Sequence, residues 1–386
     1  MKITADWLTA PGFQALCAAL EADGFQALAV GGSVRNSLLS DPVSDVDPVS
    51  DVDIATDARP ETVSALAEKA GFRVVPTGID HGTVTVIARG TAYEVTTFRR
   101  DIDTDGRHAT VAFSTDVTDD ARRRDLTINA LYADCRGRVI DPLSGLPDLM
   151  ARRVRFIGDA DARIREDYLR ILRFFRFHAW YAGPDAGFDP DSLAACAANS
   201  AGIGTLSHER LGAEMRKLLA APNPAPAVAA MAQTGVLAQV LPGADPRLLP
   251  VLVHLEDGLP PRWRRRLAAL GGHKVRECLR LSRTEATDLD RLRDAMGNMN
   301  SPAALGWTLG ADLATDAILL RAALLESPPP PGWQADVARG AVASLPVTAA
   351  DLQPALQGPA LGARLREIPA RWLASDLRLT RAELLG

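Results

Sequence analysis

The chain changes character near residue 152, and this change limits the folds open to it. Before that point short β-like runs alternate with helical segments, whereas the later segments have helical periodicity interrupted by proline and glycine. A chain of 386 residues is long enough for two or three domains. We therefore expect an α+β fold, a small mixed sheet with helices, over the first 150 residues and an all-α fold after them.

Local patterns divide the first part of the chain into elements. The predicted elements are a strand over Ala27–Val30, a helix over Ser33–Leu39, a strand over Asp53–Thr56, a helix over Glu61–Ala70, and a hairpin of Val84–Ala88 with Tyr93–Phe98. The segment Arg99–Ser114 is polar and has no period, which predicts a mobile loop. A wide apolar stripe over Ala160–Trp180 predicts a single long helix.

Composition excludes several classes of protein. Hydrophobic residues make up 47% of the chain and charged residues 24%, which is typical of a globular protein and not of a disordered one. The sequence contains no run of 18 uncharged apolar residues, so we expect no membrane span. The four cysteines are scattered, so we expect neither a zinc site nor disulfides, and the reducing cytoplasm is the expected location.

The residues most suited to chemistry lie around a glycine turn and two strands. Gly31, Gly32 and Ser33 connect a strand to a helix, where exposed backbone N–H groups can bind phosphate oxygens. Asp51 and Asp53 are two residues apart on a strand, so their side chains point to one face. Glu94 on a neighbouring strand could complete an all-oxygen site.

Such carboxylates can hold two Mg²⁺ ions roughly 3.5–4 Å apart, an arrangement suited to in-line attack on a phosphate. Each feature alone has a simpler interpretation, because a glycine pair before a helix is usually only a tight turn and two aspartates in a loop are usually solvated. Their order along the chain and their placement on predicted elements favour the functional interpretation.

Four segments occur in an order that resembles a known family. They are Gly31–Leu39 (GGSVRNSLL), Asp51–Asp53 (DVD), Arg122–Leu131 (RRRDLTINAL) and Glu166–Arg173 (EDYLRILR). Together they resemble the motifs of the class II tRNA nucleotidyltransferases (CCA-adding enzymes) and bacterial poly(A) polymerases. The resemblance covers about residues 25–220. It implies an α+β head with the metal carboxylates over residues 1–150, an all-α neck over residues 151–222, and an all-α body and tail over residues 223–386 that hold the tRNA acceptor arm. It implies template-independent addition of CMP and AMP, from CTP and ATP, to the 3′ end of tRNA, with two Mg²⁺ ions and release of pyrophosphate.

The resemblance also implies a role for individual residues. The catalytic, metal-binding acids would be Asp51, Asp53 and Glu94. The triphosphate and ribose would contact Gly31, Gly32, Ser33, Arg35, Arg124, Asp125 and Asn129. The incoming base would be read by Glu166, Asp167, Arg170 and Arg173. An Asp acceptor and an Arg donor three residues apart on one helix face can pair with the Watson–Crick edge of cytosine or adenine.

A short tandem repeat complicates the assignment of the metal-binding pair. The segment Asp41–Val46 (DPVSDV) is copied as Asp47–Val52. In the family a fixed number of residues separates the glycine turn from the two aspartates. Counted forward from the turn, this spacing is met by Asp45 and Asp47. Counted back from the strand that begins at Ile54, it is met by Asp51 and Asp53. Two pairs therefore compete for the metal, Asp45 with Asp47 and Asp51 with Asp53.

Local chemistry favours the second pair. Pro48 follows Asp47 directly, lacks an N–H for a strand ladder and restricts the residue before it. Asp53 instead continues directly into a strand with a β-branched residue at its start. We therefore expect Asp51 and Asp53 to bind metal while the first copy forms an extruded loop. Asn36 also departs from the family, which usually has Asp there, and we expect only a mild effect.

RNA binding has to come from local charge, because the formal net charge of the chain is −5. The arginines expected to contact the phosphates of the tRNA acceptor arm are Arg152, Arg153, Arg155, Arg264 and Arg265, the last two beside Trp263. The simpler alternative is that some of these arginines pair with the abundant acids.

Other functions stay open at this level. The resemblance also fits a poly(A) polymerase, or an enzyme that adds only CC or only A. A further alternative is an RNA-binding relative that does not catalyse, because the six inserted residues misplace the carboxylates. Addition of many A residues to unrelated RNA would favour the first alternative, and tRNA binding without pyrophosphate release would favour the last.

Overall fold

The computed structural model describes residues 1–39, 52–76, 78–79, 82–105, 108–183, 186–353 and 355–386. The chain divides into two compact units, Met1–Val240 and Leu241–Gly386. The first unit carries a mixed β-sheet with helices, and the second is helical, which confirms the predicted fold class. No helix in the described ranges is both long enough and apolar enough to cross a membrane.

The strands are β1 (Leu28–Val30), β2 (Asp53–Thr56), β3 (Arg73–Val75), β4 (Thr83–Ala88), β5 (Thr91–Thr97), β6 (Arg99–Asp105), β7 (His108–Phe113), β8 (Tyr132–Asp134) and β9 (Val139–Ile140). The main sheet has the order β3-β4-β5-β2-β1-β8-β9, and β6 and β7 form a separate ribbon. Strand β2 pairs antiparallel with β1 and parallel with β5. The predicted hairpin of β4 and β5 turns at Arg89 and Gly90, both at positive φ, as a tight two-residue turn requires.

The helices of the first unit are α1 (Asp6–Thr9), α2 (Pro11–Glu21), α3 (Gly32–Leu38), α4 (Pro60–Lys69), α5 (Val117–Arg122), α6 (Leu146–Met150), α7 (Ala160–Glu166), α8 (Leu169–Tyr181), α9 (Pro190–Ala198), α10 (His208–Leu219), α11 (Ala225–Gln233) and α12 (Val236–Val240). Short 3₁₀ turns lie at Thr127–Asn129 and Ser200–Thr205. Side chains alternate across the sheet. On one face Leu28, Val30, Ala55 and Tyr132 join a buried apolar cluster that also contains Phe98 and Ile157.

Two predictions about elements were wrong. The segment Arg99–Ser114, expected to be a loop, forms the antiparallel ribbon of β6 and β7. An antiparallel ladder between two strands that follow each other in the sequence is formed by backbone groups and does not require an apolar face. The polar sequence of β6 therefore gave no sign of the strand. The Ala160–Trp180 helix is broken instead at Asp167, whose backbone is extended (φ −156°, ψ 106°). The Asp167 carboxylate accepts a hydrogen bond from the N–H of Leu169 (3.1 Å), the first residue of α8, and this local bond competes with a continuous helix.

The helices of the second unit are α13 (Leu248–Leu255), α14 (Trp263–Leu270), α15 (Val275–Cys278), α16 (Arg283–Met296), α17 (Pro302–Leu309), α18 (Ala311–Leu324), α19 (Trp333–Ala341), α20 (Ala349–Leu352), α21 (Gly358–Ala374) and α22 (Arg381–Leu385). Ion pairs occupy part of its interior. Glu256 binds Arg265 (2.7 Å) and Arg266 (2.7 Å), and Arg265 also binds Asp316 (3.0 Å). All four side chains are buried, so each charge depends on its partners.

We expect Glu256→Gln to destabilise the second unit by about 3–5 kcal/mol, because two buried guanidinium groups then share a neutral partner. Urea denaturation of the full chain measures this as a lower transition midpoint. The matched control is Asp245→Asn, which breaks an exposed pair with Arg247 and should leave the midpoint unchanged. Equal midpoints for Glu256→Gln and the wild type would contradict the role assigned to this cluster.

Candidate active site

A cavity of about 530 Å³ in the first unit brings most of the predicted site residues together. The predicted residues that line it are Gly31, Gly32, Arg35, Asp53, Glu94, Arg124, Asp125, Asn129, Asp167, Arg170 and Arg173. They come from the sheet, from the glycine turn after β1, from the segment after α5 and from the start of α8. The cavity therefore combines residues that lie more than a hundred positions apart in the sequence.

The glycine turn forms one wall of the cavity. Gly31 has φ 75° and ψ −123°, a backbone conformation that favours glycine, and α3 begins at the next residue. A side-chain carbon placed on Gly31 would lie 3.7 Å from Nη1 of Arg124, and one on Gly32 would lie 3.6 Å from Nη2 of Arg35. Two guanidinium groups thus lie directly beside the turn. Ser33 is buried, and no described residue is a hydrogen-bond partner of its Oγ atom.

Asp53 and Glu94 lie side by side on neighbouring parallel strands. Ile54 is opposite Val95 in the ladder, so the residues that precede them are neighbours and point to the same face. Both side chains are exposed at the cavity. Carboxylate oxygens are the ligands that Mg²⁺ prefers, so this donor pair fits such an ion.

The other predicted acids lie elsewhere. Asp45, Asp47 and Asp51 fall outside the described residues, so the choice between the two aspartate pairs stays a prediction. Within the described ranges no group of three acidic, histidine or cysteine side chains is placed to hold a metal ion.

Arg124 is held in place by two buried groups. Its guanidinium donates to Asp120 (3.0 Å from Nη2) and to the Tyr132 hydroxyl (3.1 Å from Nε), and that hydroxyl donates to Asp120 (2.8 Å). Burial opposes the charge on Arg124, but Tyr132 and Asp120 outweigh this effect and raise the pKa of the guanidinium. Burial has the opposite effect on Tyr132: it raises the pKa of the hydroxyl, which therefore keeps its proton. Arg124 is therefore a fixed positive charge next to Gly31.

Arg35 is buried beneath the turn. It donates to Asn129 (2.5 Å), to the Tyr181 hydroxyl (2.6 Å) and to Asn36 (3.1 Å), and it stacks on the Tyr181 ring at 4.0 Å. Asn36 also accepts a hydrogen bond from Tyr181 (3.2 Å), so the amide serves where the family usually has a carboxylate. Burial lowers the pKa of Arg35. These contacts make Arg35 a positioning residue that joins the turn to α8.

Asp125 is an acceptor for three groups around it. Its carboxylate accepts from Arg173 (2.6 Å), from the Asn129 amide (3.0 Å) and from the N–H of Leu126 (2.8 Å). Burial alone would raise the pKa of this carboxyl group, but the Arg173 charge and the three hydrogen bonds hold the pKa of Asp125 well below its usual range. Asp125 is therefore an anion that fixes Arg173 and Asn129.

The predicted base-reading residues lie at the break between α7 and α8. Arg170 donates to Glu166 (2.5 Å) and to the carbonyl oxygens of Arg163 (2.9 Å) and Arg123 (3.1 Å). Asp167 accepts from Arg210 at 2.6 Å. Asp167 and Arg170 face the cavity, whereas Glu166 supports Arg170 from behind and does not line the cavity. Asp167 and Arg170 are on adjoining segments and not, as predicted, on one continuous helix.

Sequence reasoning missed several residues of this site. Arg210 follows the Ser207 cap of α10, and nothing in the sequence nearby signals its contact with Asp167. Tyr181 and Asp120 lie 146 and 4 positions from the arginines they bind, and neither belongs to a segment that carries the resemblance. The contacts of Arg210 and Tyr181 depend on the tertiary fold, whereas the contact of Asp120 with Arg124 is a local i,i+4 pair that the sequence could have indicated.

The predicted RNA-binding arginines have different environments. Arg153 and Arg155 bind the buried carboxylate of Asp148 (3.0 and 2.6 Å) but keep about half of each side chain exposed. Arg152 is partly exposed and has φ 52°. Arg264 binds Asp288 at 2.5 Å and lies over the Trp263 ring. The prediction for Arg265 was wrong, because only 1% of its side chain is exposed and it binds Glu256 and Asp316.

Comparisons with known proteins identify relatives of this chain. The sequence model of the Poly A polymerase head domain matches residues 27–155, and a model described as probable RNA and SrmB-binding site of polymerase A matches residues 187–248. The CCA-adding enzyme of Geobacillus thermodenitrificans is 36% identical over 349 residues, which are 85% of this chain and 81% of that protein.

Two further comparisons concern a vertebrate relative and a solved structure. The zebrafish mitochondrial CCA tRNA nucleotidyltransferase 1 is 41% identical over 209 residues, 54% of this chain and 47% of that protein. The match thus spans about half the length of the vertebrate relatives. The crystal structure of the Bacillus stearothermophilus CCA-adding enzyme in complex with CTP superposes with a TM-score of 0.74 at 30% identity, covering 95% of this chain and 94% of that one.

The Asp125 ion pair predicts a specific dependence of stability on pH. Because the pKa of Asp125 is lowered by folding, the ionised carboxylate stabilises the protein fully above the unfolded value of about 3.9. That contribution to the free energy of unfolding is lost as the pH falls toward and through the lower pKa that Asp125 has in the folded protein. We expect Asp125→Asn to cost about 1–3 kcal/mol at pH 5–8, with a difference that shrinks below about pH 4.

Urea midpoints of the wild type and the variant at pH 7, 5 and 3.5 measure this difference. The control is Asp23→Asn, which changes an exposed carboxylate of the same unit and should leave the midpoint unchanged at each pH. A difference that grows as the pH falls would contradict the assignment of Asp125 as a stabilising anion.

Proposed function

The chain belongs to the family of CCA-adding enzymes, and we propose that it adds CMP and AMP, from CTP and ATP, to the 3′ end of tRNA with release of pyrophosphate. The observation that carries this proposal is the position of Asp53 beside Glu94 in a cavity whose walls are the glycine turn and fixed arginines. The relative with 30% identity over nearly the whole chain was solved in complex with CTP, which supports a nucleoside triphosphate as the ligand.

The charge of the cavity suits a triphosphate. Arginine and lysine side chains outnumber carboxylates along its lining. Arg124 is fixed by Asp120 and Tyr132, so it can bind phosphate oxygens without first being ordered. The Gly31–Gly32 turn has no side chain between the backbone and these oxygens. The triphosphate would therefore lie along the turn, between Arg124 and the carboxylate pair.

Asp53 and Glu94 would hold Mg²⁺, joined by Asp51 from the segment outside the described residues. When bound, the two ions supply a lowered pKa for the attacking 3′-hydroxyl and stabilise the charge that develops on the triphosphate. The protein's own part is to hold the carboxylates on rigid paired strands. No covalent enzyme intermediate is needed, because the 3′-hydroxyl attacks the α-phosphate in line with the departing pyrophosphate.

Asp167 and Arg170 would select the incoming base. A carboxylate accepts from an exocyclic amino group, and a guanidinium donates to ring nitrogen and carbonyl acceptors, so together they complement cytosine or adenine. Arg170 is oriented by Glu166 and two backbone carbonyls, and Asp167 is oriented by Arg210 and the N–H of Leu169. In this way protein side chains take the place of a template.

We assign the chemistry to the head over residues 1–150 and the neck over residues 151–222. The head, the neck, and the body and tail over residues 223–386 would all contact the tRNA acceptor arm. Arg152, Arg153 and Arg155 remain proposed phosphate contacts, since Asp148 leaves a large part of Arg153 and Arg155 exposed.

The proposal is tested with tRNA that lacks its terminal CCA, incubated with Mg²⁺ and with CTP, ATP or both. We expect two additions with CTP alone and three with both nucleotides, measured by gel electrophoresis of end-labelled tRNA. Addition of many A residues to unrelated RNA would identify a poly(A) polymerase. Binding of tRNA with no pyrophosphate released at any Mg²⁺ concentration would identify a non-catalytic relative.

The matched controls for this assay are carboxyl-to-amide changes. Glu94→Gln should lower the rate of incorporation at least about a hundredfold, since it removes a metal ligand from the reacting centre. Asp57→Asn changes a carboxylate just beyond the end of β2 that binds Gln26, and it should leave the rate near that of the wild type. Full activity in Glu94→Gln would contradict the proposed site.

A further inference from the structure

A second cavity, of about 350 Å³, lies within the helical unit Leu241–Gly386. One side is formed by the segment that contains α15, and the other by α16. The apolar residues between them, including Val275, Ala286 and Leu289, are buried. A charged group in the cavity would therefore lie close to material of low polarity, which strengthens its interactions with other charges.

The polar lining of this cavity is predominantly basic. The charged residues are Lys274, Arg276, Arg283 and Arg293 on the basic side and Glu277 and Asp290 on the acidic side. Within the part of the chain that the structure describes, no ion pair or side-chain hydrogen bond involves any of these six side chains. Elsewhere in this unit, arginines such as Arg264 and Arg339 bind carboxylates. The cavity thus gathers four cations and only two carboxylates, so the charge of its lining is positive.

Arg293 gives the most specific indication. Its Nη2 atom is buried and has no hydrogen-bond partner among the described residues. A buried cationic donor without an acceptor is unfavourable, so an anion that supplies oxygen atoms would stabilise this arrangement. The backbone on either side of α15 is also unusual. Lys274 before the helix and Arg280 after it have positive φ (48° and 47°), although neither is glycine. Such conformations persist where the surrounding structure imposes them.

We propose that this cavity binds a backbone phosphate of the RNA substrate. The inference rests on the proposed function, in which tRNA is the substrate. No aromatic side chain lines the cavity, so it offers no surface on which a nucleobase could stack. Guanidinium and ammonium groups instead suit the oxygen atoms of a phosphate. This places a tRNA contact of the helical unit at α15 and α16, in place of the buried Arg265.

The test is the equilibrium binding of tRNA lacking CCA to the full chain, measured between 50 and 300 mM KCl (roughly the range in which phosphate contacts are resolved). Arg276→Gln and Arg293→Gln should each weaken binding by roughly three- to tenfold and make the slope of log K against log salt shallower by about one. Arg276 is exposed, so its change is not expected to affect folding. The control is Arg378→Gln, an exposed arginine of the same unit that should leave binding unchanged.

A variant that is expected to tighten tRNA binding distinguishes an electrostatic effect from a loss of structure, because structural damage would only weaken binding. Asp290→Asn removes an acid from the cavity and should tighten tRNA binding by about two- to threefold. Asp257→Asn, an exposed acid outside the cavity lining, should have no effect. A merely structural role of Asp290 would not strengthen binding.

The same preparations are assayed for nucleotide addition, so that the two proposals fail separately. If the wild type adds CCA while Arg276→Gln and Arg293→Gln bind tRNA with wild-type affinity and salt dependence, the phosphate site is overturned and the proposed function stands. If the variants lose affinity as expected but the wild type adds no nucleotide, the phosphate site is supported and the proposed function fails.

Discussion

The parallel pairing of β2 with β5 is the constraint on which the site depends. The ladder sets Ile54 opposite Val95, and this register alone brings Asp53 beside Glu94 on one face of the sheet. A shift of one residue would turn one of these carboxylates to the opposite face. The register is secured by β5, where Tyr93, Val95 and Thr97 are buried and the residues between them are more exposed, so a shift would also expose apolar side chains.

A continuous polar network connects α3, the helix that follows the glycine turn, to α8. Arg35 beneath the glycine turn binds Asn129, Asn129 binds Asp125, and Asp125 binds Arg173 on α8. Because these groups bind one another in succession, the glycine turn and α8 are linked through one polar network. Removing the Asp125 carboxylate would leave Arg173 without this acceptor. Because Arg173 lines the cavity, the substitution should change the arrangement of the cavity wall as well as the stability of the protein.

The sequence allowed the turn, the helix after it, β2 and the β4–β5 hairpin to be predicted, because local chemistry decides them. Gly31 at positive φ and the Arg89-Gly90 turn are examples. The break at Asp167 and the pairing of β6 with β7 were missed, since a side-chain hydrogen bond to the backbone and a backbone ladder overrode the apparent periodicity. The partners of Arg35 and the burial of Arg265 depend on distant residues, so neighbouring sequence could not indicate them.

The central claim is that Asp53 and Glu94 share bound divalent cations beneath a nucleoside triphosphate. A crystal of the full chain grown with CTP and Mn²⁺ in place of Mg²⁺ tests it directly, because the anomalous scattering of manganese locates each ion. Manganese peaks within about 2.5 Å of oxygen atoms of both carboxylates, with Asp51 as a further ligand, are the predicted result. Manganese held by Asp45 and Asp47 and distant from Glu94 would contradict the account.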